Sequence, residues 1–137
     1  MADNEYLGSV AIISWVYATG TAALNTEFRT WNYTPTIDFV DATAGADTSK
    51  RRVPSFKDGS MKLTMLMQST MASADYSCLD EGTLGTVIYN PAGTAAGKLK
   101  ITLPAYSQGI TITEPYNDIV QLDISWQQNG ARVLGTN

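Results

Sequence analysis

Apolar and polar residues alternate with a period of two along residues 59–68, 98–105 and 118–127. Successive side chains of a β-strand point to opposite faces, so each segment predicts a strand with one buried face. Leu66 interrupts the alternation in the first segment. The apolar positions are Met61, Leu63, Met65, Met67, Leu99, Ile101, Leu103, Val120, Leu122, Ile124 and Trp126.

Less regular patterns predict further strands. Residues 10–17 are almost uniformly apolar, which is typical of a strand buried on both sides or covered by a neighbour. Residues 27–33 and 36–41 lie on either side of Pro35 and predict one bent strand. Other extended segments are expected at residues 83–89, 110–113 and 132–134.

One segment has helical spacing instead. Apolar residues recur at helical intervals within residues 71–82, and Gly82 suits the position just after a helix. The apolar positions of this segment are Met71, Ala74, Cys78 and Leu79. The chain is therefore expected to be one mostly β domain, residues 1–137, with one short helix.

Residues 42–58 are predicted to form a long loop. The segment begins with small polar residues and continues through the basic triplet Lys50, Arg51 and Arg52. A loop this long is uncommon in a compact domain and is usually functional or disordered. The triplet is either a solvated loop or a docking segment that pairs with carboxylates of a neighbouring subunit. We expect deletion of residues 43–51 to leave a folded subunit.

Charged residues make up 16% of the 137-residue chain, below the usual quarter, which points to neutral surface covered by other chains. The net charge of −4 disfavours a surface that grips nucleic acid, because phosphate binding needs clustered cations. No stretch approaches the ~20 apolar residues of a membrane span, and the acidic start does not resemble a signal peptide. We therefore expect a soluble protein, made in a cytoplasm, with no membrane partner.

Enzyme chemistry finds little support in the residue types. The absence of histidine excludes a Ser-His-Asp or Cys-His arrangement and removes the commonest nitrogen metal ligand. Cys78 is the single cysteine, so neither an internal disulfide nor a multi-cysteine metal site can form. Neighbouring carboxylates such as Asp38 with Asp41 are typical of solvated surface. The expectation is a non-enzymatic protein without cofactor or metal.

Three segments, taken in order, resemble the major tail tube proteins of long-tailed, siphovirus-type bacteriophages. The first is the Arg-Val-Pro-Ser-Phe-Lys-Asp-Gly-Ser run of residues 52–60, followed directly by the alternating strand 61–68. The second is the short acidic helix expected at 73–82, and the third is the long final strand within 116–127, which precedes Asn129-Gly130. The order of these motifs carries the resemblance.

The resemblance implies a β-sandwich or partial barrel flanked by one helix. Six subunits of such a protein join their sheets edge to edge into a ring with a continuous lumen barrel, and the rings stack into a tube. The tube is part of the virion tail, meets other tail proteins at its ends and passes DNA passively into the host during ejection. The long loop and the terminal segments, residues 1–8 and 130–137, which would form extended arms, are then expected to contact neighbouring subunits or rings.

Two sets of site residues follow from this resemblance. The expected interface residues are Trp31, Lys50, Arg51, Arg52, Val53, Pro54, Phe56, Lys57 and Asp58. Trp31 is included because it shares an expected strand face with Glu27 and Arg29, and aromatic residues are enriched at interfaces. The expected lumen residues are the polar faces of two strands: Ser60, Lys62, Thr64, Gln68, Gln121, Asp123, Ser125 and Gln127. A lining that combines neutral and acidic side chains repels phosphates, although Lys62 departs from it, and these faces could instead meet bulk solvent or the helix.

The sequence is compatible with two other functions. A tube of a contractile tail or secretion apparatus would share the fold and differ in the sheath that surrounds it. A monomeric β-sandwich module for capsid decoration, adhesion or other binding would stay monomeric at high concentration. An enzyme would need a polar cleft with perturbed carboxylates and is the least favoured class.

Overall fold

A computed structural model describes residues 7–24, 28–67, 69 and 73–137. After a short 3-10 helix at Gly8–Val10, these residues form eight strands and one helix. In chain order these are β1 (Ile12–Tyr17), β2 (Gly20–Ala23), β3 (Phe28–Asp41), β4 (Arg52–Leu66), α1 (Ser73–Ser77), β5 (Leu84–Asn90), β6 (Leu99–Thr113), β7 (Gln121–Gln128) and β8 (Val133–Thr136). The predictions made for residues 1–6, Glu27, Gln68 and Met71 lie outside the described residues.

All eight strands belong to one antiparallel sheet with the order β2-β1-β5-β6-β7-β4-β3. The eighth strand, β8, pairs with the first residues of β6, whereas β7 pairs with its later residues. Both lie on the edge of β6 opposite β5, because β5 already pairs with Ile101 to Tyr106 on the other edge. The segments β7 and β8 therefore follow one another along the same side of β6.

The sheet curls over its own core without closing into a barrel. The ring centroids of Trp31 on β3 and Tyr89 on β5 lie 5.2 Å apart, and those of Trp15 on β1 and Trp126 on β7 lie 5.9 Å apart. Neither pair of strands is adjacent in the sheet, so these contacts join opposite sides of the curl. The expected mostly β fold with a partial-barrel shape and one short helix is confirmed.

The apolar faces predicted from the alternation form the centre of this core. Six of those side chains are at most 1% exposed: Met61, Leu63, Leu103, Leu122, Ile124 and Trp126. Burial of such side chains contributes about 1.5–3 kcal/mol each, which offsets the cost of ordering the strands. Two buried hydrogen bonds attach the segment after α1 to the sheet, from Trp15 Nε1 to the Cys78 carbonyl (2.8 Å) and from the Ser107 hydroxyl to the Leu79 carbonyl (2.7 Å).

The structure corrects several expected boundaries. The strand β4 begins at Arg52, so only residues 42–51 of the predicted 42–58 loop connect two strands. Residues 98–105 and 110–113 form one strand, β6, whose pairing with β7 shifts register between Ser107 and Ile110. Residues 133–136 pair with β6 as β8 and do not form a free arm. The helix is shorter than expected, and β2 was not predicted.

Candidate assembly surfaces

A two-stranded ribbon projects from one end of the sheet. Strand β7 pairs with β4 only from Ser60 to Leu66, whereas β3 pairs with β4 as far as Arg52. In the part of the chain that the structure describes, residues 52–59 therefore have β3 as their one strand partner. We call residues 36–41 and 52–58, with their connection, the hairpin ribbon. It extends roughly 20–25 Å beyond the end of β7.

Both faces of the hairpin ribbon carry exposed apolar side chains. Val40 pairs with Val53 on one face, and Phe39 pairs with Pro54 on the other. The exposed fractions are 56% for both Phe39 and Val40, 52% for Val53 and 83% for Phe56. An isolated hairpin of this kind is at best marginally stable in water. We therefore expect a second protein surface to cover these apolar side chains.

The connection at the end of the ribbon is ordered by local hydrogen bonds. The amide of Thr43 donates to Asp41 Oδ1 (2.9 Å), and the amide of Arg51 donates to the Thr43 hydroxyl (2.9 Å). The hydroxyl and amide of Thr43 hold the pKa of Asp41 below its ordinary value. Arg51 also lies 3.8 Å from Asp47. The segment is therefore a shaped turn and not a structureless loop.

The ribbon brings together most of the expected interface residues. Lys50, Arg51, Arg52, Val53, Pro54, Phe56 and Lys57 all lie on it and are exposed. Asp58 lies at its base, where Oδ1 accepts a hydrogen bond of 3.0 Å from Gln127 Nε2. Their contact with another subunit stays a prediction, because one chain shows no partner.

The face expected for Trp31 is corrected. Phe28 pairs with Met65 and Thr30 with Thr64, so one extra residue, Arg29, bulges from β3. A bulge of this kind reverses the alternation after it. Phe28, Trp31 and Tyr33 accordingly pack against the core, and the Trp31 ring lies 5.9 Å from that of Trp126. Trp31 stays only partly buried, so a subunit contact at its remaining surface is still a prediction.

The two polar faces predicted from the sequence form one surface. Ser60 pairs with Gln127, Lys62 with Ser125, and Thr64 with Asp123, so β4 and β7 present them side by side. Strands β3 and β6 extend this surface with residues that were not among the expected lumen residues: Thr30, Asn32, Thr34, Thr111 and Thr113. The sequence shows the polar alternation of β3, but it does not show which strands lie beside β3 in the sheet. Gln68 lies outside the described residues.

We call this four-stranded surface the polar wall; it comprises the outward side chains of β3, β4, β7 and the end of β6. Its members are Thr30, Asn32, Thr34, Ser60, Lys62, Thr64, Thr111, Thr113, Gln121, Asp123, Ser125 and Gln127. Hydroxyl and amide groups dominate. Lys62 and Asp123 are its two charged residues and have opposite signs, so the wall is close to neutral.

Open strand edges bound the polar wall on both sides. In the described residues β3 pairs with β4 alone, so its other edge is unpaired from Phe28 to Asp41. Likewise, Ile110 to Thr113 of β6 pair with β7 and have no partner on the opposite side. Pro35 lies in β3, where the absent N–H is tolerated because the strand is at an edge. Unpaired edges of this length are templates for pairing with another chain.

A cleft separates the base of the hairpin ribbon from the connection between β7 and β8. It has a volume of about 720 Å³ and is lined by Tyr33, Phe56, Lys57, Gln128 and Arg132, among others. The guanidinium of Arg132 lies 6.0 Å from the centre of the Tyr33 ring, and the Tyr33 hydroxyl donates to Gln128 Oε1 at 3.3 Å. These groups support packing and hydrogen bonding and do not form an acid–base pair.

The described residues contain no group of three or more His, Cys, Asp or Glu side chains that could hold a metal ion. Burial, and secondarily the charges of Asp75 and Asp80, raise the pKa of the Cys78 thiol, which makes a thiolate nucleophile less available. No helix within the described residues is long and apolar enough to cross a membrane.

No protein-family model and no curated protein sequence matches the chain. Solved structures do match. A chain of the SPP1 tail tube has a TM-score of 0.75 at 12% identity, covering 97% of this chain and 80% of that one. A chain from the tail of an empty gene transfer agent particle, with C6 symmetry, has a TM-score of 0.73 at 12% identity, covering 97% and 99%.

A third match comes from the sheath–tube complex of PVC, an extracellular contractile injection system. Its TM-score is 0.70 at 11% identity, and the alignment covers 99% of this chain and 95% of that one. At such identities the likeness concerns the fold and not the residues of a site. Because it spans almost the whole chain in each case, the protein has the fold found in phage tail tubes and related tail structures.

Proposed function

We propose that this protein is a non-enzymatic structural subunit that assembles into stacked hexameric rings and forms a phage tail tube. The observation that carries the proposal is the pair of open strand edges, on β3 and β6, that bound the polar wall. A chain with the fold of tail tubes that leaves both edges unpaired is suited to pairing with copies of itself. The tube would belong to the virion tail and meet other tail proteins at its ends.

The strand directions allow the wall to continue from one copy to the next. The order β6-β7-β4-β3 is antiparallel throughout, so β6 and β3 run in opposite directions. The β3 edge of one copy can therefore pair antiparallel with the β6 edge of the next. Six copies of these four strands would give a 24-stranded barrel, and barrels of more than about 16 strands are wide enough for an aqueous channel.

The polar wall is proposed to line that channel. Of the expected lumen residues, Ser60, Lys62, Thr64, Gln121, Asp123, Ser125 and Gln127 lie on it. DNA affinity depends on neutralising phosphates with clustered cations, and the wall contains one lysine per subunit. DNA would thus pass without being held, which suits a passive conduit for ejection into the host and requires neither cofactor nor catalysis.

The hairpin ribbon is proposed to contact other subunits through its expected interface residues. The other described residues leave its apolar faces exposed, because the ribbon extends past the rest of the sheet. Burying Phe39, Val40, Val53 and Phe56 in an assembly would remove this exposed apolar surface from water, and burial of such surface drives most protein association.

A tube of a contractile apparatus is the second candidate, because the PVC sheath–tube complex contains a chain of the same fold. The two candidates share the ring and the tube and differ in the surrounding sheath. Electron microscopy of the native particle distinguishes them, since a contractile sheath thickens the tail and shortens on contraction.

Electron microscopy and mass photometry of the purified protein test self-assembly directly. Over a concentration series we expect hexamers first and then tubes of uniform diameter with an open channel. A protein that remains a monomer across the series, with both edges protected from amide hydrogen exchange, would support the monomeric binding module and exclude the tube.

A further inference from the structure

We propose that the Asn129-Gly130 pair, in the connection between β7 and β8, is a site of covalent self-modification at which the Asn129 side chain loses its amide nitrogen. Asn129 is the one asparagine of the chain that a glycine follows. The inference does not depend on the proposed function, because it concerns the chemistry of one exposed turn within a single subunit.

The reaction begins when the backbone nitrogen of Gly130 attacks the side-chain carbonyl carbon, Cγ, of Asn129. A bond forms between these two atoms, the Cγ–Nδ2 bond breaks, and ammonia leaves with the proton that the Gly130 amide gives up. Water then opens the cyclic imide at either of its carbonyl groups. One product is aspartate, and the other is isoaspartate, in which the main chain runs through the former side chain. Glycine permits this attack best, because it has no Cβ to hinder the approach.

The turn leaves the reacting atoms free. Among the described residues, neither the Gly130 amide nor the Asn129 side chain has a hydrogen-bond partner, and both residues are exposed to the water that the reaction consumes. Gly130 has a φ of 107°, a conformation that glycine adopts readily. Other atoms anchor the turn: the Asn129 amide donates to the Pro104 carbonyl (2.7 Å), and Gln128 Nε2 donates to the Gly130 carbonyl (2.9 Å).

A second pair in which glycine follows an acidic or amide residue, Asp58-Gly59, is held against the same reaction. Gly59 lies within β4 and pairs with Pro35, so the sheet fixes its backbone. Asp58 Oδ1 accepts hydrogen bonds from the Gly59 amide (2.8 Å) and from Gln127 Nε2 (3.0 Å). A carboxylate is also a poorer electrophile than an amide, because its negative charge opposes attack. We therefore expect modification at Asn129 and not at Asp58.

The modification changes both the charge and the length of the connection between β7 and β8. Each product adds one negative charge at position 129. Isoaspartate also adds one carbon to the main chain before Arg132, whose guanidinium lies 6.0 Å from the centre of the Tyr33 ring. The same connection positions β8 against β6. We expect the isoaspartate form to hold β8 less tightly, so that the backbone amides of residues 133–136 exchange with solvent faster.

Peptide mapping by mass spectrometry tests the site on purified protein aged at mildly alkaline pH, which favours loss of the amide proton. We expect conversion at Asn129 to be at least tenfold faster than at Asn117, an exposed asparagine that aspartate follows. Fragmentation of the N–Cα bonds distinguishes the isoaspartate peptides from the aspartate peptides. Equal rates at Asn129 and Asn117, or isoaspartate formed at Asp58 as fast as at Asn129, would overturn the proposal.

Two variants and a second measurement complete the test. Asn129→Gln keeps an amide but requires a less favourable six-membered ring, so conversion at this position should fall at least tenfold. Asn117→Gln is the matched control and should leave conversion at Asn129 within about twofold of the wild-type rate. Hydrogen exchange over residues 133–136 should be faster in aged than in fresh wild-type protein and unchanged in aged Asn129→Gln. Equal exchange in fresh and fully converted wild-type protein would contradict the predicted loosening of β8.

Discussion

The Thr64 hydroxyl donates a hydrogen bond of 2.8 Å to Asp123 Oδ1, joining β4 to β7 in the middle of the polar wall. The carboxylate of Asp123, the one acidic group of the wall, therefore accepts a hydrogen bond from a neutral hydroxyl. Lys62, the other charged residue, pairs across the sheet with Ser125. The wall thus presents little net charge to the space in front of it, and added cations should change its behaviour towards DNA measurably.

Placing lysines on the wall should make the tube retain DNA. We expect tubes of a Thr111→Lys and Ser125→Lys variant to hold nuclease-resistant DNA at low salt and to release it steeply as salt rises, because each phosphate contact displaces a counterion. The measurement is the DNA that sediments with tubes after nuclease treatment. Ala18→Lys with Thr19→Lys adds the same charge at the exposed β1–β2 turn, away from the wall, and should protect none. Equal protection in both variants would place the wall outside the lumen.

The sequence was most informative where one face of a strand is buried. Burial of Met61, Leu63, Leu122 and Ile124 imposes a period of two, and that period revealed both strands and the polar faces opposite. The hairpin ribbon lacks this signal because both of its faces carry side chains that the other described residues leave exposed. Residues 52–58 consequently resembled a loop although they form part of β4.

A local sequence pattern could not predict bulges or the pairing of strands that are distant in sequence. The extra residue at Arg29 reversed the face assigned to Trp31, and no neighbouring residue type signals such an insertion. The small residues of β2, Gly20–Ala23, show no alternation, and β8 is identified by its pairing with β6, some 35 positions away in sequence. Which strand edges lack a partner can be identified only once the strand order is known.

Shortening the hairpin ribbon should separate folding from tube growth. Asp41 pairs with Arg52, so replacing residues 42–51 by Asn-Gly closes the ribbon with a two-residue turn of a favoured type. We expect a folded subunit whose melting temperature is close to that of the wild type, because the removed residues contribute no side chain to the core. Electron microscopy should show no tubes. Tubes of normal length would show that residues 42–51 are dispensable and that the predicted role of this segment is wrong.

Gly85 of β5 pairs with Tyr17 of β1, and a side chain at this position should destabilise the subunit. A Cβ at this position would lie 2.5 Å from the Val16 carbonyl oxygen and 2.7 Å from the Trp15 ring. Both neighbours are held in the sheet, so Gly85→Ala is expected to lower the free energy of unfolding by about 1–3 kcal/mol. Urea unfolding followed by circular dichroism measures the change. Gly45→Ala, with nothing within 4 Å of the added carbon, is the control and should change it by less than about 0.5 kcal/mol.

The three tryptophans allow a hydrogen bond to be separated from packing. Trp15 and Trp126 are both fully buried, and their ring centroids lie 5.9 Å apart. Trp15 Nε1 donates to the Cys78 carbonyl, whereas Trp126 Nε1 has no acceptor among the described residues. Replacement by phenylalanine removes a similar ring volume at both positions, but only Trp15→Phe also removes a buried hydrogen bond.

We therefore expect Trp15→Phe to lower the free energy of unfolding by about 1–3 kcal/mol more than Trp126→Phe does, which is the cost of leaving a buried carbonyl without its donor. Both variants also carry the replacement of residues 42–51 by Asn-Gly, which should keep the subunits from forming tubes. Urea unfolding then gives the difference in their free energies of unfolding. Trp31→Phe is the matched control, because Trp31 Nε1 is likewise without an acceptor among the described residues. Equal losses at Trp15 and Trp126 would mean that the Trp15–Cys78 hydrogen bond contributes nothing measurable to the attachment of the segment after α1.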